Sequence, residues 1–168
     1  MLETSVGRIL VADHLGVYVI KMVGDVRLTL CVSFDQYIET LFGKNDFCTI
    51  LFDLSDVEGL DSTTLGLIAK IAVKSENIKN IQPMIICSSP DVIKLLTSMG
   101  IDSVCQIIDS PPSDYCPTQT FSGLSVCDDD EGVVKEKVLE AHCVLMGLND
   151  SNHETFKDLV QTLGHGGD

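Results

Sequence analysis

Positive charge is scarce in this chain. Eleven Lys and Arg stand against 25 Asp and Glu, a formal net charge of −14 over 168 residues. The imbalance is uneven: residues 1–108 hold 13 acids and 8 bases (−5), residues 109–168 hold 12 acids and 3 bases (−9). A field of that sign repels phosphate backbones, so direct nucleic-acid binding is disfavoured. Apolar runs are short and broken by charge, and none approaches the roughly 18 to 20 residues of a membrane helix. Met1 to Val11 carries Glu3 and Arg8 and shows no apolar core with a cleavage site, so no secretory signal is expected. The expectation is a cytoplasmic protein that does not enter a membrane.

Metal and catalytic signatures are missing too. The seven cysteines (Cys31, Cys48, Cys87, Cys105, Cys116, Cys127, Cys143) form no C-x-x-C or C-x-x-H pair, which argues against zinc. Among apolar neighbours a reduced cysteine acts as a small hydrophobe. Phosphate-loop, dinucleotide, zincin and nucleophile-elbow motifs do not occur. His14, His142, His153 and His165 are isolated in sequence, and no nucleophile lies beside an evident base. The reading is non-enzymatic, with no metal and no cofactor.

What is present is an apolar content of 45%, enough to bury a core in a domain of ordinary size. "RILVADHLGVYVIKMVGDVRL" reads as two strands around a turn at His14 to Gly16. "SFDQYIETLFGKND" reads as a helix, with Ser33 and Gln36 as a capping box and Gly43 as its end. "FCTILFDL" reads as a strand buried on both faces, followed by an acid-rich loop. A helix runs from Ser62 to about Lys74, "PMIICS" is a short strand, Ser89 and Pro90 open a helix closed by Gly100, and "SVCQIID" is the last strand. Strands alternating with helices imply an α/β layer structure with a mixed first hairpin.

Residues 110–130 read as a linker with prolines and an acidic run; Asp128 to Glu131 complement the dipole of the next helix. Residues 131–168 read as a helical hairpin. Val134, Val138, Ala141, Leu145 and Leu148 line the first helix, and Ser151 with Glu154 boxes the second. Such stripes must be covered, either by the domain itself or by a dimer or second partner on the 131–163 helices.

The most concentrated signal is "LFDLSDVEGLDSTTLGLIAK", residues 51–70. Asp61 can cap the helix, with Ser62, Thr63 and Thr64 as ordinary first-turn residues. Equally, a hydroxyl at a helix start can carry a phosphate, and its charge beside Asp56, Glu58 and Asp61 would exclude a docked partner.

"LFDLSDVEGLDSTTLGLI" resembles the signature of STAS domains of the anti-anti-sigma factor family, the anti-sigma factor antagonists. Asp53, Leu54 and Ser55 fit the strand end, and Asp61, Ser62, Leu65 and Gly66 fit the loop and helix start. "PMIICSSPDVIKLLTSMGIDSVCQI" looks like that family's next unit, so the resemblance spans about residues 6 to 109, a STAS domain over 1–109. The tail, "VLEAHCVLMGLNDSNHETFKDLV", looks like the extension of a subgroup of stand-alone antagonists. The resemblance implies a STAS-like mixed sheet covered by helices, and partner switching in transcription regulation. Unphosphorylated, such a protein binds an anti-sigma factor; a serine kinase modifies the Ser after the loop Asp, here Ser62 with Thr63 as second choice, and a PP2C-type phosphatase reverses it. The implied partner-binding residues are Gly24 and Asp25 in the first-hairpin loop, then Asp56, Glu58, Asp61, Ser62, Thr63, Thr64 and Leu65. Thr63 and Thr64 depart from the family's usual Ser-Gly.

Two other readings of the residues stand beside this one. A small-molecule (nucleotide or lipid) sensing module could use the helix start as an anion site, although Asp56, Glu58 and Asp61 oppose it and no base precedes Lys70 nearby. A structural subunit of a STAS assembly would give a discrete large oligomer.

Overall fold

A computed structural model describes residues 6–112, 120–126 and 130–165, the side chain of His165 apart. Six strands, β1 (Arg8–His14), β2 (Val17–Val26), β3 (Thr49–Leu60), β4 (Met84–Ile86), β5 (Gln106–Ile108) and β6 (Ser122–Gly123), form one sheet in the order β5-β4-β3-β2-β1-β6. β2, β3, β4 and β5 pair in parallel, while β1 is antiparallel to β2 and β6. This is the expected mixed sheet. Parallel neighbours need crossovers, supplied by α1 (Cys31–Lys44), α2 (Ser62–Lys79) and α3 (Pro90–Ser98). Two further helices, α4 (Glu131–Met146) and α5 (Asp150–His165), follow β6.

The core explains the run pattern. Ile20, Ile50, Phe52 and Ile85 of the strands are at most 1% exposed and pack with Phe34, Ile38, Leu67, Ile68 and Leu96 of the helices. On the sheet's other face Val19, Leu51 and Ile86 form a smaller cluster with Phe121 against it. Three of the five described cysteines, Cys31, Cys87 and Cys105, are buried; Cys116 and Cys127 lie outside the described residues. Burial pushes the Cys105 thiol up to about 12, as for a packing residue.

Several local expectations need correction. α1 begins at Cys31, after a 3-10 turn at Leu28–Leu30, and Ser33 is not its cap. The Ser33 hydroxyl instead donates to the Ser125 carbonyl, tying the segment after β6 to α1. α1 ends at the left-handed Asn45, two residues beyond Gly43. The residues read as an acid-rich loop belong to β3: Val57 and Leu60 turn inward while Asp56 and Glu58 face out, and two register shifts against β2 absorb the change of phase. α5 is not boxed by Ser151 and Glu154; the Asn149 side chain accepts the Asn152 N–H at 2.7 Å. Asp130 caps α4 by accepting from Val133 N–H at 2.9 Å, with Glu131 in the first turn, as the dipole argument requires; Asp128 and Asp129 lie outside the described residues.

Within the segment read as a linker, Ser122 and Gly123 pair with Val11 and Leu10. The turn between β1 and β2 falls at Leu15 and Gly16, both left-handed (φ 50° and 84°), as a two-residue hairpin requires.

Candidate functional site

The start of α2 is built on Asp61. Its side chain accepts the Thr64 N–H at 2.9 Å and the Thr64 hydroxyl at 2.8 Å, while its other oxygen accepts the Leu28 N–H at 2.7 Å. The Asp61 N–H donates to the Val26 carbonyl at 3.3 Å. One carboxylate therefore satisfies an orphan amide of α2 and fastens the chain entering α1 to it. The end of β2 and the start of α2 become neighbours.

The three hydroxyls then separate. Thr63 is 2% exposed, and the Thr64 hydroxyl is engaged by Asp61. Ser62 is half-buried, and its Oγ lies 2.7 Å from His142 Nε2 of α4. His142 Nδ1 is 2.7 Å from the Val138 carbonyl, an acceptor, so Nδ1 carries a proton. In the neutral ring Nε2 then accepts the Ser62 hydroxyl proton. The imidazole is 2% exposed and meets the Phe156 ring of α5 edge-on, with centroids 5.1 Å apart.

No sequence motif joins Ser62 to His142, which stand 80 positions apart. The available signal was two small residues. Gly66 on α2 faces Ala141 on α4, and a Cβ at Gly66 would lie 2.3 Å from the Ala141 carbonyl oxygen. Glycine lets the two backbones come this close. Ala141 belonged to the predicted stripe of the tail, and it is α2 of the same chain that covers it.

Beside this contact sits a buried charge network. Lys70 of α2 lies 2.7 Å from Asp35 of α1 and 2.5 Å from Glu140 of α4, and Lys137 of α4 lies 2.9 Å from Asp35. Asp35 is 2% exposed. Desolvation opposes both charges most strongly, yet the paired groups win: hydrogen bonds from Lys70 and Lys137 hold the Asp35 carboxyl below its ordinary value, and Asp35 and Glu140 raise Lys70 to about 12. The network joins α1, α2 and α4.

Of the other predicted site residues, Gly24, Asp25, Asp56 and Glu58 lie at the same end of the sheet, and Leu65 does not share their exposure. Gly24 and Asp25 are not in a hairpin loop; they lie on β2, where a register shift occurs opposite Val57 and Gly59. The Asp25 carboxylate covers Gly59 and accepts from Arg27 at 2.9 and 3.0 Å. Asp56 and Glu58 are exposed on β3. Leu65 is 1% exposed and lies in the core. The expectation that no base lies nearby before Lys70 needs correction, because strand pairing brings Lys21 to 3.1 Å from Asp56 and 3.6 Å from Asp53. Among the described residues no helix is long and apolar enough to cross a membrane.

The sequence profile of the STAS domain matches residues 8–112, more than half of the chain. No curated protein matches in sequence. Among solved structures the fold is similar to the anti-sigma factor antagonist SpoIIAA in its unphosphorylated form, with TM-score 0.52, 16% identity, and coverage of 62% of this chain and 89% of that one. An anti-sigma factor antagonist from Mycobacterium paratuberculosis gives TM-score 0.50 and 22% identity, covering 62% and 87%. The Bacillus cell fate determinant SpoIIAA in its phosphorylated form gives TM-score 0.50 and 16% identity, covering 61% and 92%. With the sheet order, the Asp61-capped helix start and the matched profile in hand, this chain belongs to the STAS domain family.

Proposed function

We propose that the protein is a phosphorylation-controlled anti-sigma factor antagonist of the cytoplasm, which binds an anti-sigma factor while Ser62 is unphosphorylated. The observation that carries this reading is the division of labour at the start of α2. Asp61 does the capping, Thr64 is bound to Asp61, and Thr63 is buried, so Ser62 is the hydroxyl that no part of α2 requires. It is the preferred acceptor for a serine kinase, and a PP2C-type phosphatase would restore it. Its neighbours Asp25, Asp56, Glu58 and Asp61 supply a rim on which a phosphate of roughly −1.5 to −2 charge acts by repulsion and exclusion.

A Ser–His pair at 2.7 Å is also the shape of a nucleophile and its base. Here the imidazole that would be the base is also the group lying over the hydroxyl, under Phe156. A non-enzymatic role is the better reading. Nucleotide sensing is disfavoured by the acids around the helix start.

The test uses three baits in a lysate of the native host: wild type, Ser62→Ala and Ser62→Asp. An anti-sigma factor retained by the first two and lost by the third is the expected result. The same proteins on all three would return Ser62 to plain helix-start chemistry.

A further inference from the structure

Ser62 is not presented freely. α4 lies across it, and fewer of its residues are fully buried than in the helix it covers. Of the 16 residues of α4, Ala141, His142 and Leu145 are buried, against eleven buried residues among the 18 of α2. Val133, Val134, Val144 and Met146 add partly buried apolar contacts, and the rest of the hold is polar: the Ser62–His142 bond, the Lys70, Lys137, Asp35 and Glu140 network, and Asn152 of α5, which donates to the Met99 and Leu145 carbonyls at 2.8 and 2.9 Å. A helix at the edge of a fold, less fully buried than its neighbours, opens at less than the global unfolding free energy.

Phosphorylation and this arrangement conflict at one atom. A phosphoryl group on Ser62 Oγ replaces the hydrogen that His142 accepts, and its three oxygens need room where the imidazole stands 2.7 Å away.

From this juxtaposition we infer that α4 is a cap carried by the chain itself, which withholds Ser62 and the first turn of α2 from kinase and partner until it lifts. The inference rests on the reading of Ser62 as the phosphoacceptor. Coupling is reciprocal: if the closed cap disfavours phosphate on Ser62, phosphate on Ser62 disfavours the closed cap by the same factor. A partner that needs the open form has its apparent affinity multiplied by the fraction of molecules that are open.

Hydrogen exchange by mass spectrometry on the full chain tests this without kinase or partner. The variants are Ala141→Leu, which wedges α4 away from Gly66; His142→Ala, which removes the latch without adding bulk; and Ser62→Glu, which puts charge under the cap. The expected result is exchange at least about tenfold faster in α4 and the first turn of α2 for all three. Protection in β3 and α3 stays at the wild-type level, which certifies the folded domain. Wild-type rates at the first turn of α2 in both Ala141→Leu and His142→Ala would overturn the cap, as would undiminished α4 protection in Ser62→Glu. If Ala141→Leu loses β3 protection as well, His142→Ala decides alone. With the recovered anti-sigma factor, His142→Ala binds at least about tenfold more tightly than wild type, and equal affinity contradicts the gating of the partner. Failure of the switch itself reads differently: the exchange results stand while Ser62→Ala and Ser62→Asp capture the same proteins.

Discussion

Two helices in this protein begin almost alike, and their hydroxyls are put to different uses. α3 opens with Ser89, whose hydroxyl accepts the Val92 N–H at 3.5 Å, and Pro90 follows. α2 opens with Asp61 accepting the Thr64 N–H at 2.9 Å, and Ser62 follows. At α3 the hydroxyl is the cap, so modifying it would remove the helix's own support. At α2 a carboxylate caps, and the hydroxyl one residue on is left to bond another element, His142. Under the proposed switch, a phosphate there leaves the Asp61 cap of the helix in place. The difference is one position in the cap, and it separates a hydroxyl that the helix uses from one that the proposed switch uses.

The comparison is most sharply broken by charge. Ser62→Asp should lower the affinity for the anti-sigma factor at least about 100-fold, about 2.7 kcal/mol, by calorimetry. Ser89→Asp should leave it within about twofold, since Asp also caps. Next in size is the network under α4. Lys70→Met leaves the carboxylate of Asp35 buried with Lys137 as its remaining cation and should cost about 1.5–3 kcal/mol in urea unfolding.

The caps themselves come third. Asp61→Ala removes the bonds to Thr64 and to Leu28, an expected loss of about 2 kcal/mol, whereas Ser89→Ala should lose about 0.5–1 kcal/mol. Equal losses would mean that Asp61 does not join the two segments.

The smallest effect is on pH dependence. Asp35 titrates lower in the fold than its ordinary 3.8, so its contribution is present above that value and is lost as pH falls through the lower folded value. Lys70 is raised from 10.5 to about 12, so its contribution is present below 10.5 and is lost as pH rises through about 12. The gap in thermal midpoint between wild type and Lys70→Met should therefore be flat between these limits and narrow outside them.

Much of the fold was legible because each element carried its own signal. The apolar run of β3, the Asp61 cap and the Ser89–Pro90 start all stand where the residues imply. The misreadings share one cause, a local rule overridden by a distant contact. Ser33 looked like a cap, but the Ser125 carbonyl takes its hydroxyl and a 3-10 turn fixed by Asp61 starts α1 earlier. Asp56 and Glu58 looked like loop because acids are poor strand formers; β2 extends beside them and holds Asp56 through Lys21. Gly24 and Asp25 lie on β2, while the hairpin turn falls at Leu15 and Gly16. The Ser62–His142 pair was beyond reach, since an isolated histidine on a tail helix gives no hint of its partner. Gly66 and Ala141, each small on a packed face, were the trace it left.

The most direct measurement is a calorimetric titration of the recovered anti-sigma factor with the full chain, unmodified and phosphorylated at Ser62 alone. The account predicts tight binding to the unmodified protein and a loss of at least about 100-fold on phosphorylation. Equal affinity for the two forms would contradict it.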